Sequence, residues 1–192
     1  MTPGLYADIE LSDYLADPCE GPSLSSSIVH LICSRSPWHA WTAHPKLNPD
    51  YQREEDTKFD VGTAAHAFLL EGTVGFHLVD AADWRTKDAQ TQRDAARLAG
   101  KTPLLRGQFD RVLELAAAIG PQLSRLEAPR PFTDPGGKPE QTLIWQADGL
   151  WCRARPDWLH DDHRTIDDLK PTTVANPAVF ARVLFGLGYA SK

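Results

Sequence analysis

Along the first two thirds of the chain, apolar residues recur at helical spacing; in the last third they alternate as strands do. Ser23-Leu24-Ser25-Ser26-Ser27 precedes the apolar stretch Ile28 to Ile32, which predicts a capped helix from about Ser26 to Cys33, ended before Pro37. Residues 37–58, punctuated by Pro37, Pro45 and Pro49, predict a short helix and an ordered loop. Val61, Ala64, Ala65, Phe68 and Leu69 predict a helix that Asp60 caps and Gly72 ends. A short strand is expected from Phe76 to Val79, followed by a polar helix from about Asp88 to Ala99 that Gly100 closes. The next helix is expected from Arg106 to Ile119, with Phe109, Val112, Leu113, Leu115 and Ala116 facing inward.

Residues 128–139 hold four prolines and two glycines and read as a turn-rich connector. Three strands are predicted after it: Glu140 to Gln146, Leu150 to Leu159, and Arg164 to Lys170. Their turns are Ala147-Asp148-Gly149 and His160-Asp161-Asp162-His163. A last helix, Asn176 to Leu187, carries Pro177 at a permitted first-turn position. No repeat or long low-complexity segment interrupts this order, and a single domain over 1–192 is expected.

Composition adds little to the pattern. An apolar share of 42% and a charged share of 24% are ordinary for a globular protein. The six tryptophans are expected mainly in packing. A net charge of −6 argues mildly against a nucleic-acid partner unless a local basic patch exists. Arg85, Lys87, Arg93, Arg97, Lys101 and Arg106 give the middle region a modest basic excess, which reads as such a patch or as a solvated helix face. Cys19, Cys33 and Cys152 are too few and too scattered for a disulfide framework or a zinc or iron–sulfur centre. With no signal peptide and no membrane-length apolar run, a cytoplasmic, non-membrane protein is expected.

The chemistry concentrates in Arg153-Ala154-Arg155-Pro156-Asp157-Trp158 and Thr165-Ile166-Asp167-Asp168-Leu169-Lys170. Strand alternation puts Asp168 and Lys170 on one face. A hairpin centred between Asp162 and His163 sets Asp157 opposite Asp168. Paired residues there have Cβ atoms ~5 Å apart, and two carboxylates that close repel unless a cation lies between them. Such a pair suits a hard divalent cation, and a neighbouring lysine can orient water or stabilise charge on a phosphate. Taken alone, Asp-x-Lys also reads as a solvated charge pair on an edge strand. Arg153 and Arg155 alternate onto the Asp157 face and are expected to contact DNA phosphates. Upstream, His66 lies on an otherwise apolar helix, either as a core histidine or as a metal ligand. His160-Asp161-Asp162-His163 reads as a solvated turn rather than a metal cluster.

Gly62-x-x-x-His66-x-x-x-x-Glu71, Glu140-x-x-x-x-Trp145, Arg155-Pro156-Asp157 and Asp168-Leu169-Lys170 together resemble RecE-type exonuclease VIII and its phage-encoded relatives, in the PD-(D/E)XK nuclease superfamily. The likeness extends to Ser23–Pro37 and to Trp84–Lys101, and so covers nearly the whole chain. It implies an α/β restriction-endonuclease-like core, a central mixed β-sheet flanked by helices. It implies Mg²⁺- or Mn²⁺-dependent exonuclease digestion of double-stranded DNA ends in phage-type recombination, with a single-strand annealing protein as partner and a homo-oligomeric assembly. By the same resemblance Asp157 and Asp168 are metal ligands, Lys170 is the catalytic lysine, His66 lies at the metal, Glu140 is the glutamate of the first core strand, and Glu71 supports His66 from behind. Glu140 alone also reads as a solvent-facing charge at a strand start. Family members continue with a Gln-x-x-x-Tyr helix, and this sequence reaches Gly188-Tyr189-Ala190-Ser191-Lys192 about where that Gln is expected. The domain is therefore expected to be incomplete at its C-terminus, and a non-catalytic DNA-binding or assembly module is the alternative function.

Overall fold

The computed structural model describes residues 1–52, 64–71, 75–127, 132, 136–169 and 176–186, without the side chains of 71 and 183–186. The chain divides into two compact units that interleave in sequence: Met1–Arg53 with Glu140–Pro156 and Lys170–Lys192, and Glu54–Pro139 with Asp157–Leu169.

The first unit carries a four-stranded mixed sheet, β1 (Gly4–Tyr6), β2 (Ser23–Leu24), β6 (Thr142–Ala147) and β7 (Leu150–Ala154), in the order β1-β6-β7-β2. The β1–β6 and β6–β7 pairs are antiparallel, and β2–β7 is parallel. Asp148 and Gly149 both take positive φ, 50° and 79°, between the paired residues Ala147 and Leu150. That is the two-residue hairpin an Asp-Gly dipeptide favours. After α1 (Leu11–Leu15), helix α2 (Ser26–Ser34) starts where predicted, with the Ser25 hydroxyl accepting from the Ile28 amide at 3.4 Å. Helix α3 (Pro37–Thr42) opens on its proline. Ile9, Cys19 and Ile144 form the core of this unit, with Tyr6, Tyr14 and Trp151 packed on them. Burial pushes the Cys19 thiol pKa upward, so it is an inert packed thiol. Cys33, in contrast, is exposed.

The second unit begins with α4, in which residues 64–66 are α-helical and Ala67–Glu71 form a π-helix. Strands β3 (Phe76–Val79) and β4 (Thr102–Leu105) pair in parallel, joined through α5 (Lys87–Leu98). The Thr86 hydroxyl caps α5, and Gly100 ends it at φ 68°. Helix α6 (Arg106–Leu123) follows β4 directly, and the Gln108 side chain accepts the Leu105 N–H at 2.9 Å. Ala64, Ala65, Leu104 and Val112 make the core, with Phe68, Phe76 and Phe109 packed against it. A separate antiparallel sheet runs β5 (Gly137–Pro139), β8 (Trp158–His160), β9 (Ile166–Asp167), in the order β5-β8-β9. Elsewhere α7 (Pro177–Gly186) is capped by the Asn176 side chain. No helix among the described residues is long and apolar enough to cross a membrane.

Several expectations change here. The predicted strand Leu150–Leu159 is two strands, β7 and β8, because Pro156 has no N–H to continue a ladder. The strand expected from Glu140 starts at Thr142, and Glu140 itself sits at φ 53°, outside strand geometry. Of the strand expected over Arg164–Lys170, the described part, 164–169, is strand at Ile166–Asp167, and the Asp162 carboxylate takes the Arg164 and Thr165 amides at 2.8 and 2.9 Å; Lys170 lies outside the described residues. Strand β4 went unread because it contains Pro103; β3 is its partner among the described residues, and since the Thr102 N–H donates to the Gly75 carbonyl on that side, alternation turns the Pro103 nitrogen away. Helix α6 outruns its predicted end at Ile119, passing through Pro121, and Leu113 is exposed rather than inward. Of the tryptophans, Trp158 is buried, while Trp38 and Trp145 are exposed.

Candidate metal centre

His66 is presented by the short α-helical turn of α4, whose Ala64 and Ala65 are pinned in the core of the second unit. Small apolar neighbours let that turn press close while the imidazole stays half-buried. Asp157 stands one residue before β8, and Asp168 one residue after β9. The ladder pairs Trp158 with Asp167 and Leu159 with Ile166. Asp157 and Asp168, expected to face each other across this hairpin, therefore lie at the same end of the ladder, one step beyond its last pair; among the described residues Asp168 does not join His66 and Asp157 in a common group of ligand atoms.

The Asp157 carboxylate is held at both oxygens. Oδ2 accepts the Leu169 N–H at 2.5 Å, and Oδ1 lies 3.4 Å from His66 Nδ1. The other ring nitrogen, His66 Nε2, lies 3.1 Å from the Leu169 carbonyl oxygen. A carbonyl can only accept, so Nε2 carries the proton and donates to it. Nδ1 faces a carboxylate oxygen, and that contact is satisfied either by a second proton on the ring or by a cation held between the two groups. A backbone carbonyl on the far nitrogen of the ring is also the usual support of a metal-bound histidine. Ligands at 2.0–2.1 Å in adjacent octahedral positions lie roughly 3 Å apart, close to the His66–Asp157 separation. The donor set therefore fits a divalent cation.

The remaining predicted residues stand as follows. Asp168 is exposed. Lys170 and the Glu71 side chain lie outside the described residues. Glu140, in the first unit, receives the Arg155 Nε at 2.6 Å. Arg155 also donates to the Ile9 carbonyl at 2.6 Å and to the Thr142 hydroxyl at 3.1 Å. Arg153 is 4% exposed, lies 3.2 Å from Asp17, and donates to the Ser23 carbonyl at 3.2 Å and to the Ser23 hydroxyl. Its guanidinium also lies over the Tyr14 ring, 5.4 Å from the centroid. Both arginines were expected to reach phosphate; both are instead held by protein groups of the first unit. In the basic middle region Arg85, Arg93 and Arg106 pair with Asp83, Asp94 and Asp80, which leaves a mixed-charge surface there.

Two groups escaped sequence reading. His160 is not part of a solvated turn: it is 4% exposed, and its Nε2 lies 2.5 Å from Asp167 Oδ2. The signal was a histidine and an aspartate seven residues apart across a four-residue turn. Asp162 does shape that turn. Hydrogen bonds from the Arg164 amide, the Thr165 hydroxyl and the Thr165 amide hold its pKa down at about 2. The other group is Asp17, buried at φ 67°, which accepts from the Cys19 and Ser23 amides and the Ser23 hydroxyl beside Arg153 and His44. A cavity of about 670 Å³ in the same unit, lined by Trp38, Trp41 and Trp151 among others, includes none of the predicted site residues.

The mixed α/β fold is that of the PD-(D/E)XK class, and the family match shows the class directly. The chain belongs to the family described as a PDDEXK-like domain of unknown function (DUF3799), which matches residues 33–184. No curated protein and no solved structure matches it.

Proposed function

We propose that this chain is a divalent-metal-dependent deoxyribonuclease of the RecE type, digesting linear double-stranded DNA from its ends in phage-type recombination. The observation that carries the reading is the His66–Asp157 pair: one ring nitrogen spent on the Leu169 carbonyl, the other aimed at a carboxylate. Asp157, Asp168 and His66 hold the ion. When bound, the cation supplies an activated water and neutralises charge on the scissile phosphate. The carboxylate oxygens suit Mg²⁺ or Mn²⁺. Lys170 orients the attacking water or stabilises the charge that develops. Glu71 supports His66. Glu140 is assigned to the catalytic group on the resemblance alone. Arg153 and Arg155 are assigned to structure, given their partners in the first unit. A single-strand annealing protein and further copies of the chain are the proposed partners, in the cytoplasm of a bacterial or phage-infected cell.

The test is digestion of end-labelled linear duplex and of a closed circle, each with Mg²⁺ or Mn²⁺ and with EDTA. Metal-dependent loss of the linear substrate with the circle intact is expected. Cutting of the circle would make the enzyme an endonuclease. No cleavage by folded protein would sink the enzymatic reading and leave a DNA-binding or assembly module.

A further inference from the structure

We infer that His160 is a positioning residue: by clamping Asp167 on one face of the β8–β9 hairpin, it determines that Asp168, and not its neighbour, stands across from Asp157. The inference rests on the reading of Asp168 as a metal ligand.

Sequence alone leaves a choice open, because two aspartates are adjacent. Side chains alternate across a strand, so a one-residue slip of β9 would exchange Asp167 for Asp168 on the metal-binding face. The ladder itself holds the register weakly. Strand β9 has two residues, and its pairing with β8 is confined to Trp158–Asp167 and Leu159–Ile166. The register therefore needs support from side chains. His160 lies on the same face as Trp158, two residues along, and Asp167 is paired with Trp158. His160 and Asp167 thus meet diagonally across the strands, 2.5 Å apart and with the imidazole buried. A slip in either direction would pull Asp167 off this partner and leave a buried ring nitrogen without an acceptor, an outcome that costs about 1–3 kcal/mol in general.

Two further contacts fix His160 itself. Its amide donates to the Thr165 carbonyl at 3.0 Å, and its carbonyl accepts from His163 at 2.9 Å. The clamp is therefore anchored to the turn at one end and to Asp167 at the other. On the opposite face the same register lets Asp157 take the Leu169 amide.

The experiment is Mn²⁺ titration of the full chain, followed by the electron paramagnetic resonance of the free ion, for wild type, Asp167→Ala, Asp167→Asn, His160→Gln and Asp168→Ala. Amide exchange at Leu169 is followed in parallel. Asp167→Ala should weaken Mn²⁺ binding by about 10–100-fold, as loss of an outer support does, and should speed exchange at Leu169. Asp167→Asn keeps an oxygen that accepts from His160, and His160→Gln keeps an N–H that donates; both should stay within about threefold of wild type. If Asp167→Ala binds like wild type, or Asp167→Asn falls as far as Asp167→Ala, the clamp is wrong, since the latter would mean that Asp167 acts through its charge. If wild type binds no Mn²⁺, the metal reading itself falls and the inference with it. If wild type binds and Asp168→Ala binds equally well, Asp168 is not the selected ligand and the inference is overturned.

Discussion

Replacing Asp17 by Ala asks what Arg153 is for. In the structure the Asp17 carboxylate meets the Arg153 guanidinium at 3.2 Å and accepts from the Ser23 amide and hydroxyl, both at 2.8 Å, and from the Cys19 amide at 3.2 Å. Both ionic partners are at least 95% buried. Removing the carboxylate strands a buried cation and leaves three donors without their acceptor. Breaking one side of a buried pair destabilises by about 3–5 kcal/mol. For a chain of this length each kcal/mol moves Tm by roughly 2–4 °C, so Asp17→Ala should melt about 6–20 °C lower. Asp17→Ala combined with Arg153→Met removes the stranded charge, and the double variant should be more stable than Asp17→Ala alone, a coupling read directly from the cycle. Thermal and urea denaturation give the numbers. A loss below about 1 kcal/mol for Asp17→Ala, or strict additivity of the pair, would refute the structural assignment of Arg153. A phosphate-contacting Arg153 predicts the reverse pattern, in which Arg153→Met leaves stability unchanged and lowers the salt slope of DNA binding by about one.

Other consequences can be read more briefly. His66→Ala should weaken Mn²⁺ binding by about tenfold or more while leaving far-UV circular dichroism unchanged; unchanged affinity would make His66 a core histidine. A Cβ on Gly137 would lie 2.5 Å from the Leu159 carbonyl and against the Trp158 ring, so Gly137→Ala should destabilise the protein by about 1–3 kcal/mol in urea titration. Asp162 has a folded-state pKa of about 2 against an ordinary 3.8, so its contribution is present above about pH 4 and is lost as pH falls toward 2. Asp162→Ala should flatten that part of the stability–pH curve, and an unchanged acid limb would contradict the role given to its hydrogen bonds.

Much of this was legible in the sequence because it rests on local rules. The Ser25 cap, the polar helix closed by Gly100, the Asp148-Gly149 hairpin and the turn that joins β8 to β9 all follow from spacing and turn chemistry over a few residues. What escaped depends on partners distant in sequence. Arg153 read as a surface cation because nothing near it announces Asp17, 136 residues away. His160 read as a turn residue because its burial depends on the packing of β8. The π-helical turn at Ala67–Glu71 leaves no mark in apolar periodicity. Proline misled in both directions, hiding β4 at Pro103 and failing to announce the break at Pro156.

The central claim is that Asp157 and Asp168 hold a divalent cation that cleaves a phosphodiester bond. Its most direct test is single-turnover cleavage of a short end-labelled duplex with Mg²⁺ or Mn²⁺, comparing wild type with Asp157→Asn and Asp168→Asn, all shown to be folded. The account predicts metal-dependent cleavage by wild type, none in EDTA, and a loss of at least about a hundredfold in each variant, since each removes charge from the metal. Cleavage that persists in EDTA or in either variant would contradict it.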